Sequence, residues 1–172
     1  ASGQLENDVP GKSTALKAYG STIEEARADL VALYFITDPK LVELGLVPQD
    51  SFPGSLYDQY FASGLMLQLR RVKPGDSLHE AHMRNRQMIT KWVIHHTDAV
   101  EIMKVDGNTT IKIHDYHDVR YTIGLLLREV QRIKSQGDFD AAQNIVETYG
   151  VTVDLELHQE VLDRVAKYDV KP

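Results

Sequence analysis

Apolar residues recur every three or four positions along most of the chain, which is the spacing of one face of an α-helix. Residue pairs that end helices, such as Pro74-Gly75 and Gly137-Asp138, interrupt this pattern. Residues 1–13 are polar and contain several Gly, Ser, Asn and Pro residues, so we expect a loop there. The pattern after this loop predicts helices at 21–37, 39–44, 55–72, 77–96, 115–136, 138–148 and 155–168.

One segment departs from the helical pattern. Residues 99–113 carry β-branched side chains on both sides of Asp106-Gly107, and an Asp-Gly pair in such a setting is a strong signal for a β-hairpin. We therefore predict antiparallel strands at 100–105 and 109–113. An isolated hairpin is marginally stable in water, so it should lie against helices. The predicted fold class is mainly α: a helical bundle-like lobe with one short antiparallel β-hairpin.

Composition and charge exclude several classes of protein. The 172 residues carry a net charge of −6 without a clustered basic face, which argues against a nucleic-acid partner. No apolar run approaches the roughly 20 residues of a membrane span, and the N-terminal residues lack the apolar core of a signal peptide. We expect a soluble, cytoplasmic protein without a membrane partner. Because there is no cysteine, a zinc site would have to use His, Asp or Glu.

The helix predicted at 21–37 begins with an unusual number of acidic residues. Ser21 and Glu24 have the spacing of a capping box, which accounts for one of them. Beyond Ile23 the apolar residues cover most of the helix circumference, which predicts a buried helix. Glu25 and Asp29, four residues apart, then point the same way, and a buried carboxylate needs a cation, a partner or a proton. A metal ion would satisfy this need, and for Glu24 the capping and metal interpretations both stay open.

The histidines do not form the usual zinc-peptidase motif H-E-x-x-H. The nearest stretch, H-E-A-H at 79–82, is one residue short, although a local zinc or iron site built from His79, His82 and nearby acids is one alternative. Taken by itself, His82 is most simply a core histidine with its hydrogen bonds satisfied. His158 is most simply an exposed residue of the last helix.

Three stretches together resemble the dipeptidyl peptidase III family. EEARAD (24–29) resembles its second zinc motif, E-E-x-R-A-(D/E); EAHMRNRQMI (80–89) and KSQGDFDAAQNIVETYG (134–150) resemble two later segments in the same order. The first zinc motif of the family, H-E-x-x-G-H, is absent from the chain, and ASGQL resembles the residues that directly follow it. The resemblance implies that residues 1–172 are a single partial domain, part of the helical, zinc-bearing lobe of a larger enzyme.

The resemblance also implies roles for five residues. Glu25 would be the third zinc ligand, beside two histidines outside this chain. Glu24 would hydrogen-bond a ligand histidine, and Asp29 would support the same site. His82 would stabilise the transition state of peptide hydrolysis, and Arg86 would contact the substrate. The cofactor would be zinc, bound in the complete enzyme and not tightly by this chain alone.

The family removes dipeptides from the N-terminus of short peptides. The implied partners are therefore a peptide substrate and the rest of the same enzyme, namely the H-E-x-x-G-H helix and the lower lobe. Without these parts we expect the isolated chain to be inactive and to expose apolar surface that promotes self-association. The alternative is a non-catalytic helical interaction module that shares ancestry with the family.

Overall fold

The computed structural model describes residues 15–48 and 54–168, so the loop predicted at 1–13 lies outside the described residues. Within these ranges the fold is mainly α with one hairpin, as predicted. The α-helices are α1 (Gly20–Phe35), α2 (Pro39–Glu43), α3 (Ser55–Leu65), α4 (Ala81–His96), α5 (Tyr116–Gln136), α6 (Phe139–Val146) and α7 (Leu155–Tyr168). The strands are β1 (Val100–Val105) and β2 (Asn108–Ile113), and shorter turns of 3-10 or π type lie at Lys17–Tyr19, Leu67–Arg71 and Glu147–Val151.

Helix α5 shows how the sequence sets both ends of an element. Asp115 begins it, since its carboxylate accepts hydrogen bonds from the backbone N–H groups of His117 and Asp118. Gly137 ends it in the left-handed conformation, with φ of 66°. Between these caps the residues that are fully buried follow the predicted helical period: Val119, Ile123, Leu126, Val130 and Ile133. This stripe packs against α1 and α4 in the main hydrophobic core.

The helix predicted at 55–72 is interrupted at Met66. Helix α3 ends at Leu65, and a 3-10 turn over Leu67–Arg71 follows it. The side chain of Gln68 donates a hydrogen bond of 2.8 Å to the backbone oxygen of Gly64, so it satisfies a carbonyl group that a continuing helix would have used. The same amide donates to the backbone of Met83, which ties the break to α4.

The helix predicted at 77–96 begins later, at Ala81. The backbone N–H of Leu78 donates to the carbonyl of Val151, and the carbonyl of Leu78 accepts from the Arg84 side chain at 2.7 Å. Both backbone groups of Leu78 are thus bonded outside a helix. His79 therefore lies outside the helix, and it does not share a helix face with His82.

The hairpin forms with its turn at Asp106-Gly107, as predicted. Val100 pairs with Ile113 and Val105 with Asn108, so the second strand begins one residue earlier than predicted. Asp106 and Gly107 both have positive φ, 50° and 78°, as a two-residue type I′ turn requires.

Helix α1 departs from the sequence expectations in two ways. It begins at Gly20 with Tyr19 at the N-cap position and without a side-chain cap, so the predicted capping box of Ser21 and Glu24 is wrong. Its expected burial on all sides is also wrong, because Val31 and Phe35 are 39% and 47% exposed. The buried positions form one stripe that packs on α4 and α5: Ile23, Ala26, Leu30 and Leu33.

His158 is buried, with 2% exposure, so the expectation of an exposed helix residue is wrong. Its Nε2 lies 3.1 Å from the backbone oxygen of Val72 and donates to it, because a carbonyl oxygen can only accept. The cause is tertiary packing, since α7 packs across the 3-10 turn at Leu67–Arg71. Within residues 15–48 and 54–168, none of the helices combines the length and apolar character that a membrane crossing requires.

Candidate functional site

Helices α1 and α4 bring the sequence-predicted site residues to one region of the surface. Glu25 and Asp29 are one turn apart on α1, and His82 and Arg86 are one turn apart on α4. The two helices pack against each other. Glu25 Oε2 on α1 lies 3.3 Å from His82 Nδ1 on α4. Two residues that are distant in sequence thus become neighbours.

The Glu25–His82 pair is open to solvent. The side chains are 37% and 63% exposed, so the interpretation of His82 as a core histidine is wrong. A contact between such exposed groups contributes at most about 1 kcal/mol to stability. The Glu25 carboxylate can therefore exchange this partner for another ligand at little cost.

Glu24 has a different environment although it is the next residue. Its Oε1 accepts from Arg27 Nη2 at 2.6 Å, and its Oε2 lies 2.7 Å from Lys134 Nζ on α5. The hydrogen bond from Arg27 lowers the pKa of Glu24, and the bond from Lys134 adds to this effect. Glu24 therefore remains ionised and links α1 to α5.

Asp29 is held by two side chains from neighbouring helices. Its Oδ2 accepts from the hydroxyl of Tyr60 on α3 at 2.8 Å and from Nδ2 of Asn85 on α4 at 3.0 Å. Burial raises the pKa of Tyr60 well above its usual value, and the neighbouring Asp29 raises it further. The phenol is thus a hydrogen-bond donor at every pH at which the protein is used.

Arg86 borders an apolar cavity of about 320 Å³ between α1 and α3. Its side chain is exposed and has no ion-pair partner in the part of the chain that the structure describes. The remaining lining residues are mostly apolar: Ala32, Leu33, Ile36, Leu56, Gln59, Tyr60 and Ser63. A free guanidinium beside an apolar cavity can bind a carbonyl or carboxylate group of a ligand that also has an apolar part.

The described residues do not form a metal site by themselves. No group of three or more His, Asp or Glu side chains is placed to hold a metal ion within residues 15–48 and 54–168. The alternative of a local zinc or iron site at His79 and His82 therefore has no support from the described geometry. Glu25 does fit a contribution to such a site, because it is an accessible carboxylate with one weakly held partner.

Sequence reasoning missed three residues around the site. Tyr60 lies on a helix without any recognised motif, and Lys134 reaches Glu24 from the far end of α5. Asn85 lies inside the stretch at 80–89 but was not singled out, although a polar residue at a buried position of α4 is a signal in itself. Tertiary packing, rather than local pattern, assembles these groups.

Comparisons with known proteins show the family to which this chain belongs. Residues 10–168 match the model of peptidase family M49, and the chain belongs to this family. Among solved structures it is similar to DPP III from Caldithrix abyssi, with 24% sequence identity and a TM-score of 0.65. The match covers 90% of this chain and 26% of that chain, so the present sequence spans about a quarter of that relative. At this identity the likeness shows the fold. A comparison with curated protein sequences gives no match.

Proposed function

We propose that this chain forms one wall of the active site of a zinc-dependent dipeptidyl peptidase, which hydrolyses peptides to release N-terminal dipeptides. The observation that carries the proposal is the contact of Glu25 with His82, made by two helices in a chain of family M49. Each residue lies in a stretch that resembles a motif of the dipeptidyl peptidase III family. Their meeting in space is what a shared active site requires.

Glu25 would be the zinc ligand that this chain supplies, and two histidines from an H-E-x-x-G-H helix would supply the others. Bound zinc would polarise the scissile carbonyl and activate water. Asp29 and Glu24 would support the ligand histidines, because carboxylates that accept from the second ring N–H fix the orientation of a ligand. Tyr60 and Asn85 hold Asp29 Oδ2, and Oδ1, which has no hydrogen bond to another described residue, would be available for a ligand histidine.

His82 and Arg86 would act on the substrate. The imidazole of His82 is solvent-exposed and close to Glu25, so a peptide bound there would lie within reach of both. As a hydrogen-bond donor it would stabilise negative charge that develops on the carbonyl oxygen. Arg86, one turn along the same helix face, would bind the peptide backbone farther from the scissile bond.

The complete enzyme would need the H-E-x-x-G-H helix and a second lobe as partners of this chain. The chain spans 26% of the related DPP III chain, which supports a role as part of a larger protein. A single carboxylate does not hold zinc tightly, since catalytic zinc sites use three protein ligands. The isolated chain should therefore be inactive.

Two experiments, one after the other, test this proposal. Reading the coding sequence upstream of Ala1 should reveal H-E-x-x-G-H ending one residue before it. The purified 172-residue chain should then fail to cleave dipeptidyl-naphthylamide substrates, while the complete enzyme should cleave them in a chelator-sensitive manner.

Two outcomes would contradict the proposed function. Chelator-sensitive cleavage by the isolated chain would show that the site is complete within it. Unrelated sequence upstream, together with an inactive complete protein, would favour the helical interaction module instead.

Glu43→Gln serves as a control in the complete enzyme, because Glu43 forms an exposed ion pair with Lys40 away from the site and should leave activity unchanged.

A further inference from the structure

The two donors to Asp29 converge on the same oxygen atom. Tyr60 Oη and Asn85 Nδ2 lie 2.8 Å and 3.0 Å from Asp29 Oδ2. No hydrogen bond to Oδ1 joins it to another described residue. A carboxylate has about four acceptor positions on two oxygens, so this arrangement satisfies one side and leaves the other available. The side chain is thereby fixed in one orientation.

The donors come from two helices other than the one that bears Asp29. Tyr60 is on α3 and Asn85 is on α4, so the carboxylate on α1 is fixed by three elements of the core. Asn85 is fully buried, and Tyr60 packs against the main core. Buried donors have few alternative partners, so they hold an acceptor more rigidly than exposed ones.

Asn85 makes this contact at a cost to stability. Its Nδ2 must face Asp29, because a carboxylate oxygen can only accept, and this orientation fixes the position of Oδ1. That Oδ1 atom is buried and has no hydrogen-bond partner among the described residues. A buried acceptor without a partner is destabilising, and proteins retain such groups mainly where function requires them. An apolar residue would suit the site better if packing were the sole purpose.

We propose that Tyr60 and Asn85 are positioning residues that hold Asp29 Oδ2, so that Asp29 Oδ1 accepts the ring N–H of a zinc-ligand histidine. This inference rests on the proposed function, since it needs the metal site to which Glu25 contributes. It goes further by assigning a role to two residues outside the motif residues Glu24, Glu25 and Asp29. Neither residue would touch zinc, and Tyr60 would act through its hydroxyl while its ring lines the cavity beside Arg86.

Tyr60→Phe in the complete enzyme is the main test. The substitution removes the hydroxyl and keeps the ring. We expect the zinc dissociation constant, measured by chelator competition, to rise by about tenfold, as for other partners that orient metal ligands. We also expect kcat to fall by a similar factor, with KM within about twofold, because the ligand geometry changes and the substrate contacts do not.

Tyr57→Phe is the matched control. Tyr57 lies one turn earlier on α3, is fully buried, and donates its hydroxyl to the backbone oxygen of Leu33 on α1 at 2.9 Å. Both substitutions remove a buried hydroxyl that links α3 to α1, so both should lower the melting temperature to a similar extent. Only Tyr60→Phe should weaken zinc binding.

Two further variants test the positioning role independently of Tyr60→Phe alone. Asn85→Leu, which keeps the branching at Cγ and removes the amide, should reproduce the loss of zinc affinity, and it replaces Tyr60→Phe if that variant does not fold. In an Asp29→Ala background, Tyr60→Phe should cause no further loss, because the group that it orients is gone.

The outcomes separate this inference from the function on which it rests. If the unsubstituted complete enzyme holds no zinc, the proposed function is wrong and the inference falls with it. If that enzyme holds zinc and hydrolyses peptides, but Tyr60→Phe and Tyr57→Phe bind zinc equally well, the positioning role alone is overturned. An additive loss in the Asp29→Ala background would also overturn it.

Discussion

Glu24 and Glu25 are neighbours in the sequence, yet their surroundings suit them to different tasks. Glu24 is bound on both oxygens by Arg27 and Lys134, which links α1 to α5 and leaves Glu24 less free than Glu25 to bind a metal ion directly. Glu25 is accessible and contacts only the exposed ring of His82 among the described residues. A side chain that binds a metal ion must first give up its hydrogen bonds in the metal-free protein. Glu25 can do so more easily than Glu24.

We therefore expect Glu24→Gln to have the larger effect on stability, and Glu25→Gln to have the larger effect on zinc binding. In the isolated chain, Glu24→Gln should lower the free energy of unfolding by up to about 1 kcal/mol, because it weakens two partly exposed ion pairs. Glu25→Gln should change it by less than about 0.5 kcal/mol. Urea unfolding at neutral pH measures both values.

In the complete enzyme, Glu25→Gln should cause a larger loss of bound zinc than Glu24→Gln. A loss of zinc with Glu24→Gln as large as that with Glu25→Gln would contradict the assignment of Glu25 as the ligand.

At the scale of elements, one carboxylate joins the hairpin to the last helix. Glu160 on α7 accepts from both the backbone N–H and the hydroxyl of Thr109 on β2, each at 2.6 Å. It also forms an ion pair with Lys104 on β1. Burial alone would raise the pKa of Glu160, but the bonds from Lys104 and Thr109 outweigh it and lower the pKa to about 2. A hairpin that would be marginal by itself is thus tied to a helix.

This link should make stability depend on pH. Because the pKa of Glu160 is lower in the folded state, its ionised form stabilises the fold above about pH 5, and the contribution is lost as the pH falls towards about 2. We expect Glu160→Gln to lower the free energy of unfolding by about 2 kcal/mol at pH 7. The difference should shrink to roughly half or less near pH 3.

Glu156→Gln is the control, because Glu156 lies one turn earlier on α7 and is exposed, and it should have little effect at either pH. An effect of Glu160→Gln that is the same at both pH values would show that the charge of Glu160 does not matter.

The elements also show what the sequence could and could not predict. The spacing of apolar residues and the residues that begin or end helices predicted the bounds of α5 and α7 to within one residue. Asp106-Gly107 predicted the hairpin, since all these signals are local. The interruption at Met66 was missed because it depends on a contact of Gln68 with α4. Similarly, motif resemblance pointed to Glu25 and His82, but Tyr60 carries no local signal. Its role depends on how α3 packs against α1.

At the scale of the whole molecule, apolar side chains on the surface agree with a role as part of a larger protein. Val31 and Phe35 are partly exposed on one face of α1, and Leu44 and Leu46 are more than half exposed after α2. Exposed apolar patches in a soluble protein often mark interfaces. We propose that other parts of the enzyme cover this surface.

The isolated chain should therefore self-associate. Sedimentation velocity should show an average mass that rises with concentration, and Leu44→Lys combined with Leu46→Lys should reduce this rise without changing the secondary structure. A compact monomer at all concentrations would count against the covered surface.

In the proposed function this chain supplies one ligand of a zinc site that other parts of the enzyme would complete. The decisive measurement is zinc content after dialysis against micromolar zinc, by elemental analysis. We expect almost no zinc on the isolated 172-residue chain, about one zinc ion per molecule of the complete enzyme, and loss of that ion with Glu25→Gln. One tightly held zinc ion on the isolated chain, or full zinc content in the Glu25→Gln enzyme, would contradict it.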